Sequence, residues 1–266
     1  MAKHERIETR AIVGGFINDL IAAMNFVAPA MCTTETRYYL RCIRIDYTGK
    51  EVLIRASDGH RMHVARIEGN WPGKGGCCAI GWKHVREILK AYKTKRAQRG
   101  GSKHGRELEW SLNYGTGVLT IGGQTFQGQE ATVDLDRVMP HDPALVCAFD
   151  STQCMPLLDA AEAVAACVRI DAVREFGADA SVKFSAQKQS RGKNRQAMLK
   201  MATDIVEPEV SEGTNHATGF NARYLRDIFT GMPPTVVMKQ TEGTYPALFH
   251  ALGDEDWFVV LMPVRI

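Results

Sequence analysis

Apolar residues along this chain follow two periods, one typical of helices and one typical of strands. Helical spacing predicts helices at about 15–27, 83–97, 151–168 and 221–231. Alternating or β-branched segments predict the strands Arg41–Asp46, Glu51–Ala56, Val118–Ile121, Ala197–Thr203, Thr235–Lys239 and Trp257–Met262. A helix, strands, a second helix and more strands follow one another in each half of the chain, which indicates the α+β class.

Two pairs of short segments recur at a nearly constant distance along the chain. Val85–Leu89 matches Leu225–Phe229 at an offset of 140 residues, and Leu20–Ala23 matches Leu158–Ala161 at an offset of 138. Matches that keep their order and spacing predict two copies of one structural unit, each of ordinary domain size.

The segment Met139–Pro143 is the expected boundary between the two copies. It contains two prolines, and proline disfavours the continuation of a helix or a strand. We therefore predict one domain at residues 1–142 and a second domain at residues 143–266.

Composition places the chain among folded globular proteins. Of its 266 residues, 45% are hydrophobic and 24% are charged, which excludes a disordered polypeptide. No apolar run approaches the roughly 20 residues that span a bilayer, and Met1–Arg6 is polar, so we expect neither a membrane segment nor a signal peptide. Seven cysteines without CxxC spacing predict reduced thiols and a cytoplasmic location. Cys77 and Cys78 lie near His84 but lack a second pair of ligands, so no metal site is predicted.

The net charge of +3 conceals an uneven distribution of charge along the chain. Residues 83–106 contain nine basic residues and one acidic residue, a local charge of +8, whereas the rest of the chain carries −5. On a helix that begins near Lys83, one stripe about 80° wide holds the cations Lys83, Arg86, Lys90 and Lys93. The opposite side of this helix holds the apolar residues Val85, Ile88, Leu89 and Tyr92.

The second copy repeats this stripe more weakly, because Arg223 and Arg226 lie opposite Leu225, Ile228 and Phe229. A solvated helix face is the ordinary interpretation of such a stripe, but solvated faces usually mix both signs of charge. A stripe of one sign favours a polyanionic partner, whose phosphates are bound without base reading. Since no zinc finger, basic zipper or RNA-binding signature is present, we expect contact with the shape and charge of a duplex.

The sequence contains no convincing catalytic constellation. Ser57-Asp58-Gly59-His60 holds three residue types of a catalytic triad, but neighbours in sequence cannot adopt triad geometry, and Asp-Gly after a strand is a common turn. No nucleophile elbow, zinc-protease, phosphate-loop or dinucleotide motif is present. Scattered carboxylates leave a metal-dependent nucleic-acid enzyme as a weak alternative, and they are Asp134, Asp136, Asp254, Glu255 and Asp256. We therefore expect no catalysis and no cofactor.

Several segments, in the same order along the chain, resemble one known family, the bacterial DNA polymerase III β sliding clamp. Arg37–Leu40 and Ile54–Met62 are similar to a loop and a strand-turn of that family. Asp136–Pro140 is similar to the junction between its middle and last domains, and Val260–Ile266 is similar to its C-terminal end. Gly219–Asn221, which opens the last predicted helix, also fits the family pattern.

This resemblance implies the DNA clamp fold, in which each domain has two helices packed on antiparallel sheets. The family has three such domains per chain, and two chains close a ring of six. The predicted domain 1–142 resembles the middle domain and 143–266 resembles the last one, so three copies of this chain would restore six domains. The resemblance thus implies a homotrimeric ring around duplex DNA in a bacterial cell, and the missing domain suits a phage-encoded clamp.

The resemblance also assigns residues to DNA. Helices line the channel of the family's ring, and a loop touches DNA near the ring face. The implied contact residues are Arg37, Tyr38, Tyr39, Lys83, Arg86, Lys90, Lys93, Arg223 and Arg226. For the two tyrosines, packing within a strand is the alternative interpretation. The leading helix of each copy carries almost no cations, so the channel would be lined unevenly.

The family has a hydrophobic pocket between its middle and last domains, which binds short linear peptides of DNA polymerase and other client proteins. The matching positions here are Leu40, Ser57, Gly59, His60, Arg61, Met62, Arg137, Val138, Val260, Met262, Pro263, Val264 and Arg265. Val133 replaces a usual proline and Met62 a usual leucine, so client preference is expected to differ. A terminal core strand is the alternative interpretation of Val260, Met262 and Val264, because alternate residues of a strand share one face.

The predicted function is therefore a DNA sliding clamp that encircles duplex DNA. Its expected partners are duplex DNA, a DNA polymerase and a clamp loader, the two proteins being bound through short linear motifs. The alternative, from another functional class, is a clamp-fold decoy or inhibitor that binds clamp clients without encircling DNA.

Overall fold

A computed structural model describes most of the chain. The described residues are 12–69, 71–92, 109–143, 145–163, 167–173, 181–187, 201–202, 206–210 and 215–265. Within these ranges, none of the helices combines the length and the apolar character that crossing a bilayer requires.

The chain divides into two compact units, Met1–Asp134 and Leu135–Ile266. The division therefore lies earlier in the chain than the proline-containing segment Met139–Pro143. A hydrogen bond joins this segment to the second unit, because the hydroxyl of Thr241 donates to the carbonyl oxygen of His141.

The described residues of the first unit form two antiparallel sheets and two α-helices. Its elements are β1 (Ile12–Phe16), α1 (Ile17–Val27), β2 (Cys42–Tyr47), β3 (Glu51–Ser57), β4 (Arg61–Glu68), β5 (Gly76–Gly81), α2 (Trp82–Ala91), β6 (Glu109–Asn113), β7 (Val118–Ile121) and β8 (Gln124–Gln127). One sheet has the order β1-β6-β7-β8. In the other, the order is β4-β3-β2-β5.

The second unit repeats this arrangement. Its elements are β9 (Leu145–Asp150), α3 (Ser151–Ala163), β10 (Cys167–Val173), β11 (Ser181–Gln187), β12 (Met201–Ala202), β13 (Val206–Val210), β14 (Asn215–Asn221), α4 (Ala222–Gly231), β15 (Thr235–Gln240), β16 (Ala247–Ala251) and β17 (Asp254–Leu261). One sheet has the order β12-β11-β10-β14. The other has the order β13-β9-β15-β16-β17, which extends the counterpart of β1-β6-β7-β8 by one edge strand. The predicted duplication and the α+β class are confirmed.

The clearest internal repeat was not predicted from the sequence. Cys42–Asp46 of β2 and Cys167–Asp171 of β10 differ only by Ile43 against Val168, and the two strands hold the same place in their sheets. Their offset differs from that of the helices because the two units have loops of different lengths.

Amphipathic patterns predicted the helices well and the strands incompletely. The predicted helix at 151–168 ends at Ala163, and Cys167–Val173 is a strand instead. Val168, Ile170 and Ala172 alternate as buried residues there, which is the period of a strand. The end of the predicted helix 83–97, beyond Tyr92, lies outside the described residues. Of the predicted strand Ala197–Thr203, only Met201–Ala202 is described, and it forms a strand.

Each unit has an apolar core between its helices and sheets. In the first unit, α1 lies against β3 and β4 and buries Leu20, Ile21 and Met24. In the second unit, the ring of Phe149 packs edge-on to Phe184, with 4.9 Å between centroids. Phe229 of α4 joins this cluster, its ring centroid 6.1 Å from that of Phe149.

The cysteines have the character of structural thiols. Burial raises the pKa of Cys147 and of Cys154 to about 12, so both remain protonated at neutral pH. Cys77 is exposed whereas Cys78 is buried, because neighbours in a strand point to opposite faces. They therefore cannot bind one metal ion together, and the described residues contain no cluster of three or more histidine, cysteine or acidic side chains suited to a metal.

The repeated strand carries an ion pair that is far more buried in the first unit. Asp46 accepts hydrogen bonds from Arg55 at 2.7 Å and from Arg44 at 2.5 Å, and only 5% of Asp46 and 3% of Arg55 is exposed. In the second unit Arg169 donates to Asp171 at 2.7 Å, but 35% and 23% of these side chains are exposed.

This difference in burial predicts a difference in stability. Asp46→Ala should lower the free energy of unfolding by about 3–5 kcal/mol, because it removes the buried carboxylate that accepts hydrogen bonds from Arg55 and Arg44. Asp171→Ala is the matched control and should cost no more than about 1 kcal/mol, because water reaches its partner. Urea unfolding measured by circular dichroism checks both variants, and equal losses would contradict the account.

Candidate nucleic-acid interface

Helix α2 presents the cations that the sequence placed on one stripe. Val85 and Ile88 are fully buried, whereas Lys83, Arg86 and Lys90 are exposed. The predicted orientation of this helix is therefore confirmed for its described part. Lys93, the fourth predicted cation, lies outside the described residues.

Helix α4 also buries its apolar face, formed by Leu225, Ile228 and Phe229, within its own unit. The electrostatic environment of its cations differs from that on α2. Arg223 is exposed, next to the cap formed by Asn221, whose side-chain oxygen accepts a hydrogen bond from the Arg223 backbone N–H at 3.0 Å. Arg226 instead pairs with two carboxylates of α3, Asp159 at 2.5 Å and Glu162 at 3.2 Å. The hydrogen bond and charge of Asp159, followed by the charge of Glu162, raise the pKa of the Arg226 guanidinium. This pair of carboxylates neutralises the cation that was expected to meet phosphate.

The corresponding positions of the first unit hold no carboxylates. The match between Leu158 and Leu20 places Ile21 at the position of Asp159 and Met24 at that of Glu162, and both are buried. Arg86, the counterpart of Arg226, therefore keeps its charge on the surface. The sequence contained the signal, because Asp159 and Glu162 have the i, i+3 spacing of one helix face, but their partner on α4 is remote in sequence.

The loop predicted to touch DNA forms two short 3-10 turns over Glu35–Leu40, separated by a kink at Arg37. Tyr38 is 74% exposed and Tyr39 is 41% exposed, with their rings edge-on at 5.7 Å, so packing within a strand does not occur. Arg37 donates to the carbonyl oxygen of Asp58 at 2.9 Å. Two of the segments that resemble clamps, Arg37–Leu40 and Ile54–Met62, therefore meet in the first unit.

A tight turn fixes the predicted pocket residues Ser57–Met62. The Ser57 hydroxyl accepts from the Gly59 N–H at 3.0 Å and donates to the Arg61 carbonyl oxygen at 2.8 Å. Gly59 has φ of +89°, and a side chain there would lie 2.7 Å from a guanidinium nitrogen of Arg37. Both hydrogen bonds of the Ser57 hydroxyl are made with the backbone of its own turn, which is a structural role and not that of a triad nucleophile.

Burial divides the pocket candidates of the first unit into two groups. The buried ones are Leu40, Ser57, Arg61 and Met62. Arg61 donates to the carbonyl oxygen of Pro29 at 2.9 Å and to the Asp58 carboxylate at 3.3 Å, so it holds backbone of this chain. Gly59 and His60 are exposed and are therefore the accessible candidates of this turn.

The pocket candidates of the second unit lie mostly beyond its last strand. Strand β17 ends at Leu261, so Val260 is a buried core residue, while Met262 is 36% exposed. Val264 is half-buried, and its N–H donates to the Gly219 carbonyl oxygen at 2.8 Å, which attaches the tail to β14. The other candidates of this unit are the exposed Arg137 and Arg265 and the half-buried Val138 and Pro263.

The fold matches solved sliding clamps, although no family model and no curated protein matches this sequence. The DNA polymerase III β sliding clamp of Pseudomonas aeruginosa is 20% identical with a TM-score of 0.71, and the match covers 100% of this chain and 68% of that one. The clamp of Bacillus subtilis is 17% identical with a TM-score of 0.73, covering 100% and 66%. The β subunit of Thermotoga maritima is 15% identical with a TM-score of 0.73, covering 100% and 70%. The expected clamp fold is confirmed, and the chain spans about two thirds of the length of these neighbours.

The different environments of Arg86 and Arg226 predict different effects on DNA association. Each alanine variant removes one positive charge, so the long-range attraction between the protein and DNA falls by the same amount in both variants. Arg86→Ala should also reduce the slope of log affinity against log salt concentration by about one, because a phosphate contact is lost. Arg226→Ala should leave this slope nearly unchanged, since Asp159 and Glu162 already neutralise it.

Fluorescence anisotropy with a labelled duplex over a series of salt concentrations measures both slopes. Asp159→Asn provides the reverse test, because it releases Arg226 from its closer carboxylate and should strengthen binding. Equal slopes for the two arginine variants would contradict the assignment of DNA contact to α2.

Proposed function

We propose that this chain is a DNA sliding clamp, a non-catalytic ring around duplex DNA that tethers client proteins to it. The observation that carries the proposal is the pair of clamp-like units, of which the first presents Lys83, Arg86 and Lys90 outward from α2. Cations on a rigid helix suit phosphates, which repeat along any duplex whatever its sequence.

Retention of a clamp depends on closure of the ring rather than on strong contacts. Individual phosphate contacts are weak at physiological salt, so a closed ring can slide while it stays linked to the DNA. Two units per chain supply one third of a ring of six, and we therefore propose a homotrimer. The net charge outside residues 83–106 is −5, and this negative charge disfavours adhesion of the remaining surface to DNA.

Topological retention is the test of this function. The protein is loaded onto nicked circular DNA, isolated by gel filtration at moderate salt, and followed after a restriction enzyme linearises the circle. We expect retention on circles and release through the free ends. Equal dissociation from circular and linear DNA would exclude the ring.

The second candidate is a decoy that binds clamp clients without encircling DNA. The neutralised Arg226 favours it, because one of the two cations expected on α4 is paired within the chain. A decoy would bind client peptides but would fail to remain on circular DNA, so the retention test separates the two functions.

We also propose that this chain binds short client peptides. In the second unit, Met262 supplies an adaptable apolar contact, and Arg137 and Arg265 supply donors for carbonyl oxygens or an acidic flank. In the first unit, the exposed Gly59 and His60 provide the contact surface, while the buried Arg61 and Met62 hold the turn in place.

Met262→Ala should weaken peptide binding about tenfold, a change of about 1.4 kcal/mol, because it removes an apolar anchor. Leu252→Ala is the matched control, since Leu252 is 64% exposed on the β16–β17 turn of the same unit. Fluorescence polarisation with a peptide that carries the clamp-binding motif of a bacterial polymerase measures both variants. Similar affinities for the two variants would exclude the Met262 contact.

A further inference from the structure

An arginine outside the predicted DNA-binding set lies beside α2. The guanidinium carbon of Arg41 is 4.8 Å from the centre of the Trp82 ring, and that of Arg86 is 5.3 Å from the same ring. Trp82 opens α2, and its backbone N–H donates to the Arg41 carbonyl oxygen at 2.9 Å. Backbone and side chains thus hold two guanidinium groups, from separate segments, against one indole.

The charge of this cluster is poorly compensated. The nearest carboxylate recorded for Arg41 is that of Glu35, at 3.8 Å, and 93% of the Glu35 side chain is exposed. In the described part of the chain, Arg86 has no carboxylate within ion-pair distance. The contrast with Arg226, which pairs with Asp159 and Glu162, is therefore large.

An aromatic ring can hold a guanidinium without using its hydrogen-bond donors. Stacking occupies the face of the planar group and leaves N–H groups at its edge free to donate. Because only 20% of the Arg41 side chain is exposed, little conformational freedom remains to be lost on binding. Planar guanidinium groups that are poorly compensated and held near one ring are suited to phosphate, which accepts two parallel hydrogen bonds from each.

We propose that Arg41 and Arg86 form a two-guanidinium phosphate clamp on duplex DNA, and that Trp82 is the residue that positions them. This assignment rests on the proposed sliding-clamp function and refines it. It adds Arg41 as a contact residue and places the strongest phosphate contact at the N-terminal end of α2, near the exposed Lys83.

The test compares salt series of duplex binding, measured by fluorescence anisotropy, for charge-matched variants of the full chain. Arg41→Gln should lower the slope of log affinity against log salt concentration by about one and weaken binding several-fold. Lys50→Gln is the control, because Lys50 is exposed in the β2–β3 turn, at the opposite end of β2 from Arg41. Arg41→Lys should keep the slope but lose affinity, since a lysine cannot make paired parallel hydrogen bonds.

The positioning role of Trp82 has its own readout. Trp82→Leu should weaken duplex binding, and Trp82→Phe should restore it, because phenylalanine retains an aromatic face. If Trp82 acts through the guanidinium groups, Trp82→Leu should weaken the Arg41→Gln variant less than it weakens the unmodified protein. Additive losses would overturn the positioning role.

Two failures are distinguishable. If Arg41→Gln behaves as Lys50→Gln does while Lys83→Ala still loses one unit of slope, the Arg41 clamp is excluded and DNA binding by α2 stands. If Lys83→Ala, Arg86→Ala and Arg41→Gln all match the Lys50→Gln control, DNA binding by α2 is itself excluded. Thermal unfolding of each variant confirms that it is folded, and Arg41→Gln retains the test should Trp82→Leu fail to fold.

Discussion

Burial of one apolar face of α2 in the core of the first unit determines where the positive charge of this chain lies. Val85 and Ile88 are completely inaccessible to solvent, so the opposite face of the helix lies on the surface. Lys83, Arg86 and Lys90 occupy that face. Packing of α2 on the sheets of the unit therefore fixes a row of cations on the surface. The proposed contact with DNA depends on this packing.

Duplication gave both units the same topology, but the two copies have diverged in their electrostatics. The first unit buries the pair of Asp46 and Arg55 within its sheet and leaves Arg86 uncompensated on its surface. In the second unit the related pair of Arg169 and Asp171 is partly solvated, and Arg226 is neutralised by α3. The proposed contact with DNA therefore falls mainly on the first unit, and Arg223 is the exposed counterpart of this charge on α4.

Local patterns in the sequence predicted what local physics determines. The helices were recognised because Val85 and Ile88, or Leu225 and Ile228, recur with the helical period. The predicted helix 151–168 ran into Cys167 and Val168, the first residues of the strand β10, because a short alternating apolar run is easily confused with the continuation of a helix. The pairing of Arg226 with Asp159 was out of reach, since it joins side chains 67 residues apart. The contact of Arg41 with Trp82 was equally out of reach, because these residues are remote in sequence and meet only through the packing of α2 beside the start of β2.

The proposed ring requires three copies of this two-unit chain to associate, and the mass of the protein in solution shows whether they do. Light scattering coupled to gel filtration, at micromolar protein and moderate salt, measures this mass independently of shape. We expect three chains of 29.5 kDa, a mass of 3 × 29.5 = 88.5 kDa. A stable species at the mass of one chain or of two chains, unchanged as the protein concentration rises, would contradict it.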